Sequence, residues 1–157
     1  MTEQQESRVK LPPVDQIGIV VKDMDRAIEY YQATFGWGPF SVMETELNGF
    51  TYRGKTGNCR LKVAMSTSGP MEIELIQVLE GETPHSDFLR EKGEGIQHLR
   101  CCVDDIDSIL AELAKDGIEP VFHHSFPEMG IAFAYLNSDK IGGVMIELLQ
   151  IKGTGTG

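Results

Sequence analysis

Apolar residues recur along the chain with a period that changes several times, and the changes mark the elements. Residues 14–21 (VDQIGIVV) are rich in β-branched side chains and read as a strand. Asp23 then offers a helix N-cap and Asp25 a favourable first-turn charge. Met24, Ile28, Tyr31 and Phe35 follow at spacings of four, three and four, one face of a helix that Gly36 stops. Residues 40–45 read as a second strand. Asn48-Gly49 and the stretch 54–58 are turn signals, so 46–58 is expected to be a loop region. Residues 59–65 and 71–79 read as a hairpin around Ser68-Gly69-Pro70. Thr83 caps, and Pro84 opens, a short helix that reaches Lys92 before Gly93-Glu94-Gly95.

The first pattern then returns. Residues 96–103 form a strand, Asp105 a cap, and Ile106, Ile109, Leu110 and Leu113 a helix face that Gly117 ends. Residues 119–124, 131–136 and 144–151 close the chain as strands. Two stretches show the duplication most clearly. Residues 69–78 (GPMEIELIQV) and 142–151 (GGVMIELLQI) share five of ten positions at an offset of 73. At an offset of 82, Gln16 meets His98, Val21 meets Val103, Asp23 meets Asp105 and Asp25 meets Asp107. The difference of about nine residues is expected to lie in the 46–58 loop. Two βαβββ modules that bury a sheet face poorly alone are stable edge to edge. The expected fold is α+β: two βαβββ modules forming a cupped eight-stranded mixed sheet with helices outside. The division is a flexible tail 1–13, a first module 14–82, a linking helix 83–95, a second module 96–151 and a flexible tail 152–157.

The duplication carries a geometric consequence. Gln16 and His98 occupy equivalent places on the first strand of each module, and Glu74 and Glu147 on the last. A pseudo-twofold axis that unites one pair unites the other. One imidazole nitrogen, one amide oxygen and two carboxylates around a point suit a divalent transition metal. A single strand Glu is ordinarily solvent-facing and a single strand His ordinarily packs or faces water. The apolar neighbours on both sides of Glu74 and Glu147 weigh against that reading, because a buried carboxylate needs a partner. Glu72 reads as the outward neighbour of Glu74. His85, in a first helical turn, reads as solvated. Adjacent His123 and His124 point to opposite faces, with a surface role the default. Lys62, on a strand, reads as solvated, or as an anion-binding group if it faces the cup.

Composition narrows the partners. The net charge of −10 lacks the basic face that nucleic acid or an anionic membrane needs. No apolar run approaches the ~18 residues of a bilayer span, and the polar N-terminal stretch lacks a signal-peptide core. Cys59, Cys101 and Cys102 are odd in number and form no CxxC, so neither a disulfide framework nor a zinc finger is expected and a cytoplasmic setting is the simplest.

The phrases VDQIGIVVKDMDRAIEYYQATFGWGPF, MEIELIQVLEGETPHSDFLREKGEGIQHLRCCVDDID and GGVMIELLQ resemble the vicinal oxygen chelate superfamily of glyoxalase, bleomycin-resistance and extradiol dioxygenase proteins, and most closely its methylmalonyl-CoA epimerase branch. The resemblance covers residues 14–151. It implies the paired βαβββ fold and places metal positions on Gln16, Glu74, His98 and Glu147. It also implies a divalent metal (cobalt, zinc, nickel or manganese), a small-molecule substrate such as a CoA thioester, and a homodimer. Glu147 and Glu74 become the catalytic carboxylates of an epimerase that removes and returns an α-proton. Epimerases carry His where this chain has Gln16. A Gln, Glu, His, Glu set resembles instead that of zinc-type glyoxalase I, a lyase acting on a hemithioacetal. Val20 and Val78 stand where that enzyme would offer glutathione-binding groups. A non-catalytic drug-binding protein is the third reading, and the full quartet weighs against it. Extradiol dioxygenase chemistry wants two His and one carboxylate.

Overall fold

A computed structural model describes residues 6–152. The outermost parts of the two expected tails, 1–5 and 153–157, lie outside the described residues. Eight strands, β1 (Val14–Val20), β2 (Ser41–Tyr52), β3 (Lys55–Ser68), β4 (Met71–Glu80), β5 (Gly95–Val103), β6 (Pro120–Phe126), β7 (Ile131–Leu136) and β8 (Met145–Ile151), form one sheet. Three α-helices accompany them: α1 (Met24–Phe35), α2 (Pro84–Lys92) and α3 (Ile106–Ala114).

The expected α+β fold of paired modules is present, and the sheet goes further than a cup. Its order, β1-β4-β3-β2-β6-β7-β8-β5, closes on itself. The modules meet along two seams. Antiparallel β1 and β5 pair over most of their length, with Gly18 opposite His98 and Gln16 opposite Arg100. On the far side β2 and β6 pair only through Thr51 with His123 and Tyr52 with Phe122. Within each module the first and last strands run parallel, β1 with β4 and β5 with β8.

Helices α1 and α3 are fixed by the same device, written twice. Asp23 accepts the amide of Arg26, and Asp105 that of Ser108. The Gln shared by the two repeated phrases also recurs in role. Gln77 Oε1 accepts the Met24 N–H at 2.9 Å, and Gln150 Oε1 accepts the Ile106 N–H at 2.9 Å. Each last strand thereby satisfies an orphan donor at the start of its own module's helix and docks the helix on the outer face. Beneath α1 lie Ile19, Val21, Ala64, Ile73 and Leu75; beneath α3 lie Cys101, Val103, Ala134, Leu136 and Leu148.

The opposite set of alternating positions fills the barrel: Phe50, Tyr52, Leu61, Val63, Ile76, Phe122 and Tyr135. One end is sealed by α2, whose Thr83 and Ser86 form a reciprocal capping box and whose His85 is buried against the barrel contents. The other end holds a hollow of about 350 Å³ lined by Gly38, Pro39, Ser41, Met65, Ser66, Thr67 and Glu72.

The expected loop at 46–58 is not a loop. β2 runs through it to Tyr52, and β3 begins at Lys55. Asn48-Gly49 makes a bulge inside the strand, with a register shift between Asn48 and Phe50 and Gly49 at φ 79°. The turn is Arg53-Gly54, both at positive φ, the geometry a two-residue hairpin requires. Burial of Phe50 and Tyr52 in the barrel outweighs the local turn preference of Asn-Gly. The extra residues of the first module therefore lengthen its hairpin.

Candidate metal centre

Gln16, Glu74, His98 and Glu147 come together inside the barrel beside the β1–β5 seam. His98 Nε2 lies 2.9 Å from Gln16 Oε1, 3.4 Å from Glu74 Oε1 and 3.3 Å from Glu147 Oε1. Gln16, His98 and Glu147 are 1%, 0% and 8% exposed. Register explains the convergence. Gln16 is opposite Glu72 on β4, and His98 is opposite Met145 on β8. In each module the carboxylate lies two residues further along its strand, on the same face.

Two local features turn His98 inward. The β1–β5 register shifts between Gly18 and Ile19, and at this bulge both Gln97 and His98 are buried. Gly18 leaves the space that the imidazole occupies; a Cβ there would overlap the His98 ring. On the other nitrogen, His98 Nδ1 lies 2.8 Å from Gln97 Oε1, while Gln97 Nε2 faces Met145 Sδ at 3.5 Å. The Gln97 oxygen thus accepts the Nδ1 proton and fixes Nε2 as the nitrogen that faces the centre.

Electrostatics follow from burial and crowding. Burial opposes charge on His98, but the Glu74 hydrogen bond and the Glu147 and Glu74 charges outweigh it and raise its pKa. Burial pushes the Glu147 carboxyl up to about 7; His98 pulls it down and Glu74 pushes it up. Burial pushes the Tyr135 hydroxyl well above the usual phenol range, and the Glu147 and Glu74 charges push it further. Among the described residues no group of three His, Cys, Asp or Glu is spaced as a metal cage. The groups satisfy one another instead, with three oxygens around His98 Nε2. The same donors fit a divalent transition ion: one imidazole nitrogen, one amide oxygen and two carboxylates face one point.

Two sequence expectations, for Glu72 and His85, need correction. Glu72 is not outward: two residues from Glu74, it shares the inner face, and its Oε1 accepts from Gln16 Nε2 at 2.7 Å. His85 is not solvated. It is 1% exposed, with Nε2 3.2 Å from Tyr135 Oη and its ring 6.1 Å from that of His98. A first-turn position in a linking helix suggested solvent, whereas α2 plugs the barrel end. Lys62 faces outward and lies 3.8 Å from Asp25 of α1, so it takes no part in the centre. His123 and His124 are half-buried and away from the quartet; the His124 ring packs on Phe126 at 4.6 Å. The three cysteines are unpaired.

Sequence reasoning passed over Arg100, Asp15, Gly18, Gln97 and Tyr135. Arg100 Nε donates to Asp15 at 2.8 Å, and its Nη1 lies 3.3 Å from Glu72 Oε1. A signal for Arg100 existed, since it stands two residues from His98 on one strand face. Gln97 had none, because bulges are not legible in a single strand.

A model of the glyoxalase/bleomycin resistance protein/dioxygenase superfamily matches residues 15–135. A Bacillus subtilis (strain 168) protein, YqjC, is 24% identical over 143 residues, covering 89% of this chain and 93% of its own. Among solved structures, methylmalonyl-CoA epimerase from Mycobacterium tuberculosis superposes with a TM-score of 0.67 at 24% identity, over 95% of this chain and 94% of that one. A variant of the Streptomyces coelicolor methylmalonyl-CoA epimerase, in complex with 2-nitronate-propionyl-CoA, gives a TM-score of 0.66 at 24% identity, over 92% and 97%. These likenesses establish the shared fold. The chain belongs to the glyoxalase/bleomycin resistance protein/dioxygenase superfamily.

Proposed function

We propose that this superfamily member is a metal-dependent epimerase that removes and returns a proton beside a carbonyl, with methylmalonyl-CoA or a similar acyl thioester as substrate. The observation that carries the proposal is the convergence of Gln16, Glu74 and Glu147 within 3.4 Å of His98 Nε2, deep in a closed barrel. Gln16, Glu74, His98 and Glu147 would hold a divalent ion, which would supply Lewis-acid polarisation of the substrate carbonyl.

The chain's own groups do the rest. Glu147 is the base. In the metal-free centre burial raises its carboxyl to about 7, and as a carboxylate at the centre it accepts a carbon-bound proton and gives it back. Tyr135, the buried cross-strand neighbour of Glu147, shields it from water. Glu74, from the other module, approaches the centre independently and is the candidate for delivery to the opposite face. The sealed end beneath α2 excludes water, and the hollow at the Glu72 end adjoins Gln16 through Met65 and Glu72. Substrate enters there. A homodimer and a cytoplasmic setting belong to the same proposal.

Gln16 gives a second reading its support. A Gln, Glu, His, Glu set suits a glyoxalase I-like lyase acting on a hemithioacetal, which uses the same proton abstraction. The test is deuterium exchange at the α-carbon, run on cobalt-loaded protein with methylmalonyl-CoA and, separately, with a hemithioacetal. Exchange with the thioester that Glu147→Gln lowers by about 10²–10⁴ supports the epimerase. Turnover of the hemithioacetal alone moves the chain to the lyase reading. Full activity in Glu147→Gln refutes the assignment of the base. Loaded protein inert toward both substrates favours a binding role.

A further inference from the structure

The two modules support their ligands differently, and the difference centres on a carboxylate outside the quartet. His98 has Gln97 behind it, and Gln97 leans on Met145. Gln16 has Glu72, which occupies in the first module the place that Met145 occupies in the second. Resting on the metal reading above, we propose that Glu72 is a positioning residue that makes Gln16 a ligand.

A Gln side chain presents an oxygen and an NH2 group of nearly the same shape, and only the oxygen binds a cation. Glu72 decides between them. A carboxylate accepts and does not donate, so the group 2.7 Å from Glu72 Oε1 must be the NH2, and Oε1 of Gln16 turns to the centre. The other neighbour of the NH2 is Met65 Sδ at 3.9 Å, too weak to orient it alone. Drawing the amide N–H toward a carboxylate also pushes electron density onto the amide oxygen, as it does for metal-bound imidazoles. A neutral, poor donor becomes a better one.

Glu72 is itself held. Arg100 reaches its Oε1 at 3.3 Å and is braced by Asp15 at 2.8 Å. These three groups come from the strands that carry the quartet: Asp15 adjoins Gln16, Glu72 is two residues from Glu74, and Arg100 is two residues from His98. Of the three, Glu72 lines the hollow. Removing Glu72 leaves Arg100 paired with Asp15, so the barrel keeps its packing. Met is the residue of matching size that the second module already tolerates at the equivalent position.

The test is cobalt binding by calorimetry and visible absorption on chelator-stripped protein. It compares the wild type with Glu72→Met, Glu72→Gln, Gln16→Ala and the double variant Glu72→Met/Gln16→Ala. Glu72→Met is expected to weaken cobalt binding about 10–100-fold and to shift the absorption band. Glu72→Gln keeps an acceptor facing the amide and is expected to bind more tightly than Glu72→Met. The double variant is expected to bind no more weakly than Gln16→Ala, because both changes remove one interaction. Wild-type binding in Glu72→Met, with weakened binding in Gln16→Ala, overturns the role of Glu72 and leaves the quartet intact. An equal loss on adding Glu72→Met to Gln16→Ala also overturns it, since Glu72 then acts on the ion without Gln16. A wild-type chain that takes up no cobalt overturns the metal reading together with this one.

Discussion

His85 is the group whose titration the fold resists most plainly, and it yields a quantitative prediction. Its ring is 1% exposed beneath α2 and packs against Phe122, Tyr135 and His98. Burial, helped by the charge of His98, lowers its pKa from 6.5 to about 3. Its Nε2 lies 3.2 Å from Tyr135 Oη, and its Nδ1 is a buried atom without a hydrogen-bond partner. A depressed folded pKa gives stability that is present above pH 6.5 and is lost as pH falls toward 3, because only the unfolded chain takes up the proton. Between pH 7.5 and 4.5 this amounts to about 2.5 kcal/mol, some two pH units below 6.5 at 1.36 kcal/mol each. His98 and Glu147 act in the opposite sense. Their raised pKa values give stability present at low pH and lost as pH rises through the folded values. The wild-type profile is therefore composite, and the difference from His85→Phe isolates the one group. Phe keeps a ring in the cavity and cannot take a proton. Urea unfolding with chelator present, at pH 7.5, 6.5, 5.5 and 4.5, should show the gap between wild type and His85→Phe moving by about 2.5 kcal/mol in favour of the variant as pH falls. Parallel profiles would refute the assignment of a buried neutral imidazole.

Other perturbations separate the centre from its surroundings. Gly18→Ala places a methyl group where the His98 ring lies; calorimetry should find metal binding lost, and denaturant titration a cost of about 1–3 kcal/mol from overpacking. Lys62→Ala should leave thioester exchange within about twofold of wild type, since Lys62 points to Asp25 on the outer face and exposed pairs of this kind contribute roughly 0–1 kcal/mol. A tenfold loss in that assay would return Lys62 to the site. Tyr135→Phe removes the hydroxyl of the cross-strand neighbour of Glu147 and should shift the alkaline or acidic limb of the exchange pH profile while metal stoichiometry stays unchanged; an unmoved profile would limit Tyr135 to packing.

Legibility in the sequence followed physical range. The repeated phrase carried the module pairing because the same residues do the same work twice: Asp23 and Asp105 cap, Gln77 and Gln150 pin the helices, Glu74 and Glu147 face inward. The quartet followed from symmetry, and its members do meet. What was misjudged depended on contacts between elements far apart in sequence. Asn48-Gly49 has the local chemistry of a turn, yet Phe50 and Tyr52 draw the strand onward into the barrel. His85 sits in a polar helix whose burial is decided by the barrel end it covers. Glu72 was misplaced for a different reason: the two-residue period of a strand puts it on the face of Glu74, and that rule was available from the sequence. Gln97 faces the interior only because of a bulge that arises from pairing with β1.

The central claim is that Gln16, Glu74, His98 and Glu147 hold one divalent ion, and metal content by mass spectrometry tests it most directly. The measurement uses protein purified without a chelating column, beside His98→Ala and Glu147→Ala variants shown to be folded. About one transition metal per chain is expected in the wild type, with loss of most of it in both variants, because a divalent site needs three or four ligands. A wild-type chain free of metal, or variants that retain it in full, would contradict the account.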